Sequence, residues 1–245
     1  VAYLDAAALR AFDAHGFRAR KPYPWANPAG LLTDAGFDQL HRTLPDVSQF
    51  EAIFGKRRKY GQMSHDRLSL DYRAGLDLPP AWQAFIEELQ GDEYTAFVRR
   101  MFGCRNFRLK MHWHYTPAGK SVSPHCDSLS KIGSQIFYFN TPEDWDPAWG
   151  GETVILDDKG KFSSRSAPGW DAFDKAIPAQ ALGNRSLIFA RKPHSWHGVR
   201  AIACPPDRLR RVFIVVIEFT GVVDQAVAQI PGLRDLVAAP ASVAA

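Results

Sequence analysis

Near residue 105 the hydrophobic pattern changes period, so the chain divides into a helical first part and a strand-rich second part. Before that point apolar residues recur three and four apart, as on the buried face of a helix. Trp82, Phe85, Ile86 and Leu89 keep this spacing between Pro79-Pro80 and Gly91, and Tyr94, Phe97, Val98, Met101 and Phe102 keep it between Asp92 and Gly103. Proline suits a first helical turn and glycine a helix end, so two helices are predicted here, the second capped by Asp92. Asp5 is expected to cap a helix to about Ala14, with Leu9 and Phe12 inward and Gly16 as its stop. Thr33 is expected to cap another that carries Phe37, Leu40 and Leu44. Between them Pro22, Pro24 and Pro28 exclude helix, because each removes a donor and forces an extended neighbour.

From Asn106 the alternation has period two. Phe107-Arg108-Leu109-Lys110-Met111-His112-Trp113-His114-Tyr115 shows it, as does 135–139, and short apolar runs follow at 153–156, 186–190 and 212–219. Strands punctuated by Gly, Pro and Asp predict a mainly β fold with flanking helices (α+β), its core an antiparallel sandwich or jelly roll. The polar stretch between Leu156 and Pro178 carries Phe162, Trp170 and Phe173 and reads as a lid or binding loop. No repeat or linker divides the chain. One domain is expected over 1–245, with a largely helical support region at 1–104, a β core at 105–220 and a helical C-terminal extension at 221–245.

Composition narrows the class. A 46% hydrophobic and 23% charged content is that of a globular protein, and no apolar run approaches the ~20 residues of a membrane span. A net charge of +4 slightly favours acidic small ligands but has no nucleic-acid tail, so neither nucleic acid nor membrane is an expected partner. Cys104, Cys126 and Cys204 are odd in number and far apart, which favours a reducing cytoplasm over a disulfide framework. The start, Val1-Ala2-Tyr3-Leu4-Asp5, has neither a charged leader nor an apolar h-region, and it opens on valine instead of an initiator methionine, which leaves a removed segment open. The basic cluster 56–60 reads either as a solvated turn or as a rim that attracts an anionic substrate, framing the substrate entrance together with 162–173.

The chemistry centres on His125-Cys126-Asp127. An imidazole and a carboxylate two apart on an extended segment point the same way. His197, in Trp196-His197-Gly198-Val199, or its neighbour His194 would complete two histidines and one carboxylate, the facial arrangement of non-haem Fe(II) oxygenases. Context favours His197, since Gly198 lets the backbone approach closely. His112 and His114 share one strand face, where packing or surface placement is expected over the alternative of another metal site. Arg211 opens an otherwise apolar strand, where an unpaired charge is costly, so a carboxylate partner is expected for it. Arg208 and Arg210 are nearby rivals, and one of the three is expected at the surface.

These residues resemble the Fe(II)- and 2-oxoglutarate-dependent dioxygenases, in particular their prolyl-4-hydroxylase-like branch. The likeness runs over about residues 105–220. It lies in Tyr115-Thr116-Pro117-Ala118-Gly119 leading to His125-Cys126-Asp127, in Ile136-Phe137-Tyr138-Phe139-Asn140, in Trp149-Gly150-Gly151-Glu152-Thr153, in Trp196-His197-Gly198-Val199 and in Arg211. The resemblance implies a double-stranded β-helix (jelly roll, cupin-like) with iron held by His125, Asp127 and His197. It also implies 2-oxoglutarate with its far carboxylate on Arg211 and Tyr138, Tyr115 lining the cosubstrate pocket, and O₂ as co-reactant. The implied activity is hydroxylation of an unactivated C–H bond, releasing succinate and CO₂. Family halogenases carry a small residue where Asp127 stands, which argues for hydroxylation. A peptidyl, amino-acid or small-metabolite substrate is open, because fold does not transfer substrate. A non-catalytic cupin-like iron or 2-oxoglutarate sensor is the alternative. A zinc metallohydrolase on the same ligands would leave Arg211 and Tyr138 without a role.

Overall fold

Residues 1–221 are described in the computed structural model of the chain. In the first part α1 (Ala6–Ala11), α2 (Ala14–Ala19), β1 (Trp25–Ala26), α3 (Asp34–Arg42), β2 (Glu51–Ile53), β3 (Arg67–Asp71), α4 (Pro80–Gln90) and α5 (Asp92–Phe102) follow one another. The second part is β4 (Arg108–Pro117), β5 (Val122–His125), β6 (Lys131–Tyr138), β7 (Val154–Asp157), β8 (Lys175–Pro178), β9 (Ser186–Ala190), β10 (His197–Val199) and β11 (Leu209–Glu218). The extension expected over 221–245 lies, beyond residue 221, outside the described residues.

Local chemistry sets the helix ends. Asp5 accepts from the Ala8 amide at 2.8 Å and Thr33 Oγ1 from the Gly36 amide at 3.0 Å, the expected caps. The first helix, however, stops at Ala11 instead of Ala14. Asp13 accepts from the Gly16 amide at 2.9 Å and starts α2, so Gly16 lies inside a helix where a stop was expected. Gly91, not Asp92, is the cap of α5, and Gly103 ends that helix at φ 63° in the left-handed region.

The strands form an antiparallel seven-stranded sheet, ordered β1-β9-β6-β11-β4-β3-β2, and a four-stranded sheet, ordered β5-β10-β7-β8. The larger sheet turns one face to the helices. There Trp82 lies with ring centroids 5.1 Å from both Trp113 and Phe213, and Phe85 meets Phe137 at 5.6 Å. Burying each such ring contributes about 1.5–3 kcal/mol. The opposite face brings Ile136, Tyr138 and Val212 against Ile155 of the smaller sheet. Two antiparallel sheets face to face with this order make the double-stranded β-helix. The first part of the chain does more than support it, because β1 adds to one edge of the larger sheet and β3 and β2 to the other. In the polar 157–177 stretch, Phe162 and Phe173 pack on Trp196 at 6.4 and 5.7 Å, so these rings anchor the loop instead of facing a substrate. Among the described residues no helix is long and apolar enough to cross a membrane.

Candidate active site

Cross-strand pairing builds the centre of the site. His125 ends β5 and stands opposite His197 at the start of β10, with ring centroids 4.4 Å apart. Asp127, two residues on, brings Oδ1 to 3.9 Å from His125 Nε2. One ligand atom from each of His125, Asp127 and His197 lies within 4.8 Å of the others, close enough to share a metal ion. The Nδ1 atoms of His125 and His197 sit 3.0 Å from the carbonyls of Ser123 and Ser195. A carbonyl accepts only from a protonated Nδ1, so each Nε2 keeps its lone pair for a metal. Burial holds both imidazoles below the ordinary histidine range, hence neutral. Burial would raise the Asp127 carboxyl, but the ammonium of Lys131, 2.8 Å away, pulls the other way and the carboxyl lies below its usual range, hence ionised. Cys126 lies outside this cluster, and burial pushes its thiol up to about 12.

Gly198 has a steric role. A Cβ there would lie 2.7 Å from the Val122 carbonyl oxygen and 2.9 Å from Trp170. Gly198→Ala is therefore expected to force β5 from β10, lowering stability by about 1–3 kcal/mol and spreading the His125–His197 pair. Denaturant melts paired with metal titration check this; an unchanged midpoint would refute it.

A cavity of about 340 Å³ opens from the triad, walled by His65, His112, His114, Ser134, Ile136 and Arg210, among others. His112 and His114 thus face the cavity, where packing or surface placement had been expected. Burial pulls His112 and His65 down to about 3 from 6.5, so the folded state binds fewer protons than the unfolded one between those values. Stability therefore falls as pH drops from 6.5 towards 3, by at most about 1.4 kcal/mol per pH unit for each imidazole. Melts of the metal-free protein across this window should show the decline, and His112→Gln should flatten it; a constant Tm would contradict the assignment.

The arginine that lines the cavity corrects two expectations. Arg211 and Tyr115 are cross-strand partners on the helix side of the larger sheet, away from the triad. Arg211 Nη1 pairs with Asp144 Oδ2 at 3.0 Å, and Tyr115 stacks on Phe50 at 4.3 Å and donates to the Pro45 carbonyl. The carboxylate partner expected for Arg211 is therefore the chain's own Asp144. Because successive strand residues point to opposite faces, the cavity receives Arg210. Arg210 is 6% exposed, donates to the Gly151 carbonyl and, at 3.1 Å, to Thr153 Oγ1, and lies over the Tyr138 ring. Gly151 is required here: its φ is +98°, and a Cβ would stand 3.3 Å from Arg210 Cδ. Arg208 stays exposed beside Asp207. His194 turns away and pairs with Asp158 at 3.2 Å. Lys131, His65 and Arg67 also converge on the site, and no local motif marks them.

The fit to a dicarboxylate can be tested on Arg210 and Tyr138. Arg210 makes no ion pair among the described residues, and the buried Tyr138 hydroxyl, beside Thr153, has no partner in hydrogen-bond geometry. Burial keeps that hydroxyl protonated and able to donate. A guanidinium without an ion-pair partner, backed by the buried Tyr138 hydroxyl and sharing a cavity with a metal-ligand triad, suits a molecule that carries two anionic groups.

The comparisons with known proteins agree with this geometry. Residues 110–216, from β4 into β11, match the 2OG-Fe(II) oxygenase superfamily. This core is a 2OG-Fe(II) oxygenase fold. The superfamily uses Fe(II), 2-oxoglutarate and O₂, and among the described residues of this chain His125, Asp127 and His197 form a group that could hold a metal ion. A Pseudomonas putida prolyl-4-hydroxylase superposes with a TM-score of 0.57 at 13% identity, covering 88% of this chain and 99% of its own. The carbocyclase SnoK from nogalamycin biosynthesis gives 0.57 at 12% identity, covering 91% and 92%. A Trichoplax adhaerens prolyl hydroxylase, in complex with a hypoxia-inducible-factor peptide fragment, gives 0.56 at 10%, covering 84% and 87%. At such identities these likenesses speak to the fold of the 2OG-Fe(II) oxygenases alone. No curated protein matches the chain.

Proposed function

We propose that this chain is a 2-oxoglutarate-dependent hydroxylase that oxidises an unactivated C–H bond of a peptidyl, amino-acid or small-metabolite substrate and releases succinate and CO₂. The observation that carries the reading is that the His125–Asp127–His197 triad lines one cavity together with Arg210, whose guanidinium lies over the Tyr138 ring. His125, Asp127 and His197 would hold Fe(II), and Arg210, Tyr138 and Thr153 would hold the far carboxylate of 2-oxoglutarate. Bound iron with its cosubstrate supplies the oxidising power for C–H cleavage. The protein supplies neutral imidazoles locked by backbone carbonyls, an ionised Asp127 balanced by Lys131, and a guanidinium for one end of the cosubstrate. The third ligand is a carboxylate and not a small residue, which supports hydroxylation over halogenation. That Cys104, Cys126 and Cys204 form no disulfide is in keeping with a reducing, cytoplasmic setting.

An anaerobic titration of the apo-protein with Fe(II) and then 2-oxoglutarate tests the reading. A weak visible charge-transfer band on adding the cosubstrate is expected. Bound metal without that band would overturn it and point to a zinc hydrolase or a non-catalytic module.

A further inference from the structure

Outside the cavity that holds the triad lies a second, larger depression of about 620 Å³. Arg58, His65, Arg67 and Asp127 belong to the walls of both, so the depression is a vestibule leading to the metal ligands. Its charge is one-sided. Lys56, Arg57, Arg58, Lys59, Arg67 and Arg165 all line it, while the acid in its wall, Asp127, is already paired with Lys131.

A charge run on a loop is ordinarily a solvated turn, but this loop is built into place. Gly55, Tyr60 and Gly61 have φ values of 63°, 63° and 76° and fold residues 54–63 back over the vestibule. Tyr60 has a side chain, so holding it in the left-handed region costs on the order of 1–2 kcal/mol, which surrounding structure must offset. The Gly55 amide donates to Asp66 Oδ1 at 2.8 Å, and Gln62 Nε2 reaches the Ser166 carbonyl at 3.1 Å, tying this loop to the one carrying Arg165.

Neither of the two innermost cations forms a close ion pair among the described residues. Arg67 donates to His114 Nε2 at 3.1 Å and to the His65 carbonyl at 2.8 Å, which orient it, and feels Asp71 and Glu51 only at longer range. Arg58 makes no side-chain hydrogen bond or ion pair among the described residues and stands within reach of Arg67's charge. Arg58, exposed at the rim, and the half-buried Arg67 repel one another, and Asp127, the acid that Arg58 feels, is already paired with Lys131, so a further oxyanion would relieve the repulsion. Arginine forks match oxyanions in bidentate fashion.

We propose that the vestibule is the substrate subsite and that it selects a small substrate bearing an oxyanion, a phosphate ester or a carboxylate, gripped by Arg58, Arg67 and Arg165 while its reacting carbon enters the inner cavity. This rests on the oxygenase reading above, since it needs the triad to be the reaction centre. The vestibule is not needed for 2-oxoglutarate, since Arg210, proposed for its far carboxylate, lines the inner cavity and not the vestibule.

The test is calorimetric titration of the full chain, loaded anaerobically with Fe(II) and 2-oxoglutarate, with inorganic phosphate and separately with acetate at low ionic strength. The tighter of the two identifies the oxyanion. Arg58→Gln/Arg165→Gln is expected to weaken it roughly tenfold while 2-oxoglutarate affinity stays within about threefold, and the double lysine variant should retain most of the affinity. Parallel melts confirm that the variants fold. Three results would overturn the proposal: neither ion binding, phosphate and 2-oxoglutarate weakening together, or a single-stranded oligonucleotide binding more tightly as it lengthens, which would mark a polyanion track. If the charge-transfer band is absent but phosphate still binds in an Arg58-dependent way, the oxygenase reading fails and the anion site stands.

Discussion

Arg210→Gln should weaken 2-oxoglutarate binding roughly a hundredfold, because removing one partner of a buried charged pair costs about 2–5 kcal/mol and each 1.4 kcal/mol is tenfold. Arg211→Gln is the informative control. Its guanidinium is spent on Asp144 at 3.0 Å on the other face of the sheet, so cosubstrate affinity should stay within about threefold and stability should drop by no more than about 1 kcal/mol. Tyr138→Phe removes one donor and should cost about three- to tenfold. Titrating 2-oxoglutarate against the chelate band in all three variants checks the set. A larger loss in Arg211→Gln than in Arg210→Gln would mean that β11 presents its other face to the cosubstrate.

Removing the carboxylate of the triad should have a still larger effect on turnover. In Asp127→Ala, substrate-coupled succinate formation is expected to vanish, because two imidazoles alone leave the metal weakly held and Lys131 loses its partner at 2.8 Å. A thermodynamic readout is independent of any substrate. Metal at about a hundred times its Kd should stabilise the native chain by about 2.7 kcal/mol, and this gain should disappear in Asp127→Ala, His125→Ala and His197→Ala. His194→Ala should keep it, because that ring pairs with Asp158 away from the triad. Coupled turnover in a folded Asp127→Ala protein would refute the assignment.

These two experiments test different kinds of inference. The triad rests on a short local motif plus one distant histidine, and β5–β10 pairing sets His125 opposite His197. The anchor rests on knowing which face of β11 looks inward. Along 209–218 that strand reads Leu-Arg-Arg-Val-Phe-Ile-Val-Val-Ile-Glu. Both of its faces are apolar because helices cover one and the smaller sheet the other, so alternation shows that Arg210 and Arg211 diverge without showing which one enters the cavity. Register decides. Val212 stands opposite Tyr138, and Arg210 shares their face, whereas Arg211 stands opposite Tyr115 under the helices.

By itself the sequence determined what depends on near neighbours. The Asp5 and Thr33 caps follow from a side chain reaching an amide three residues on, and the strands of the core from period-two alternation. The pairing of His125 with Asp127 follows from the same alternation. Tertiary structure alone decided what depends on which strands become neighbours. Lys131 reaches Asp127, His65 comes 4.2 Å from His125, and the 56–60 loop closes over the same mouth as Arg165. A side chain's direction is set by its own backbone, but what it meets is set by the order of strands in two sheets, and no local pattern carries that order.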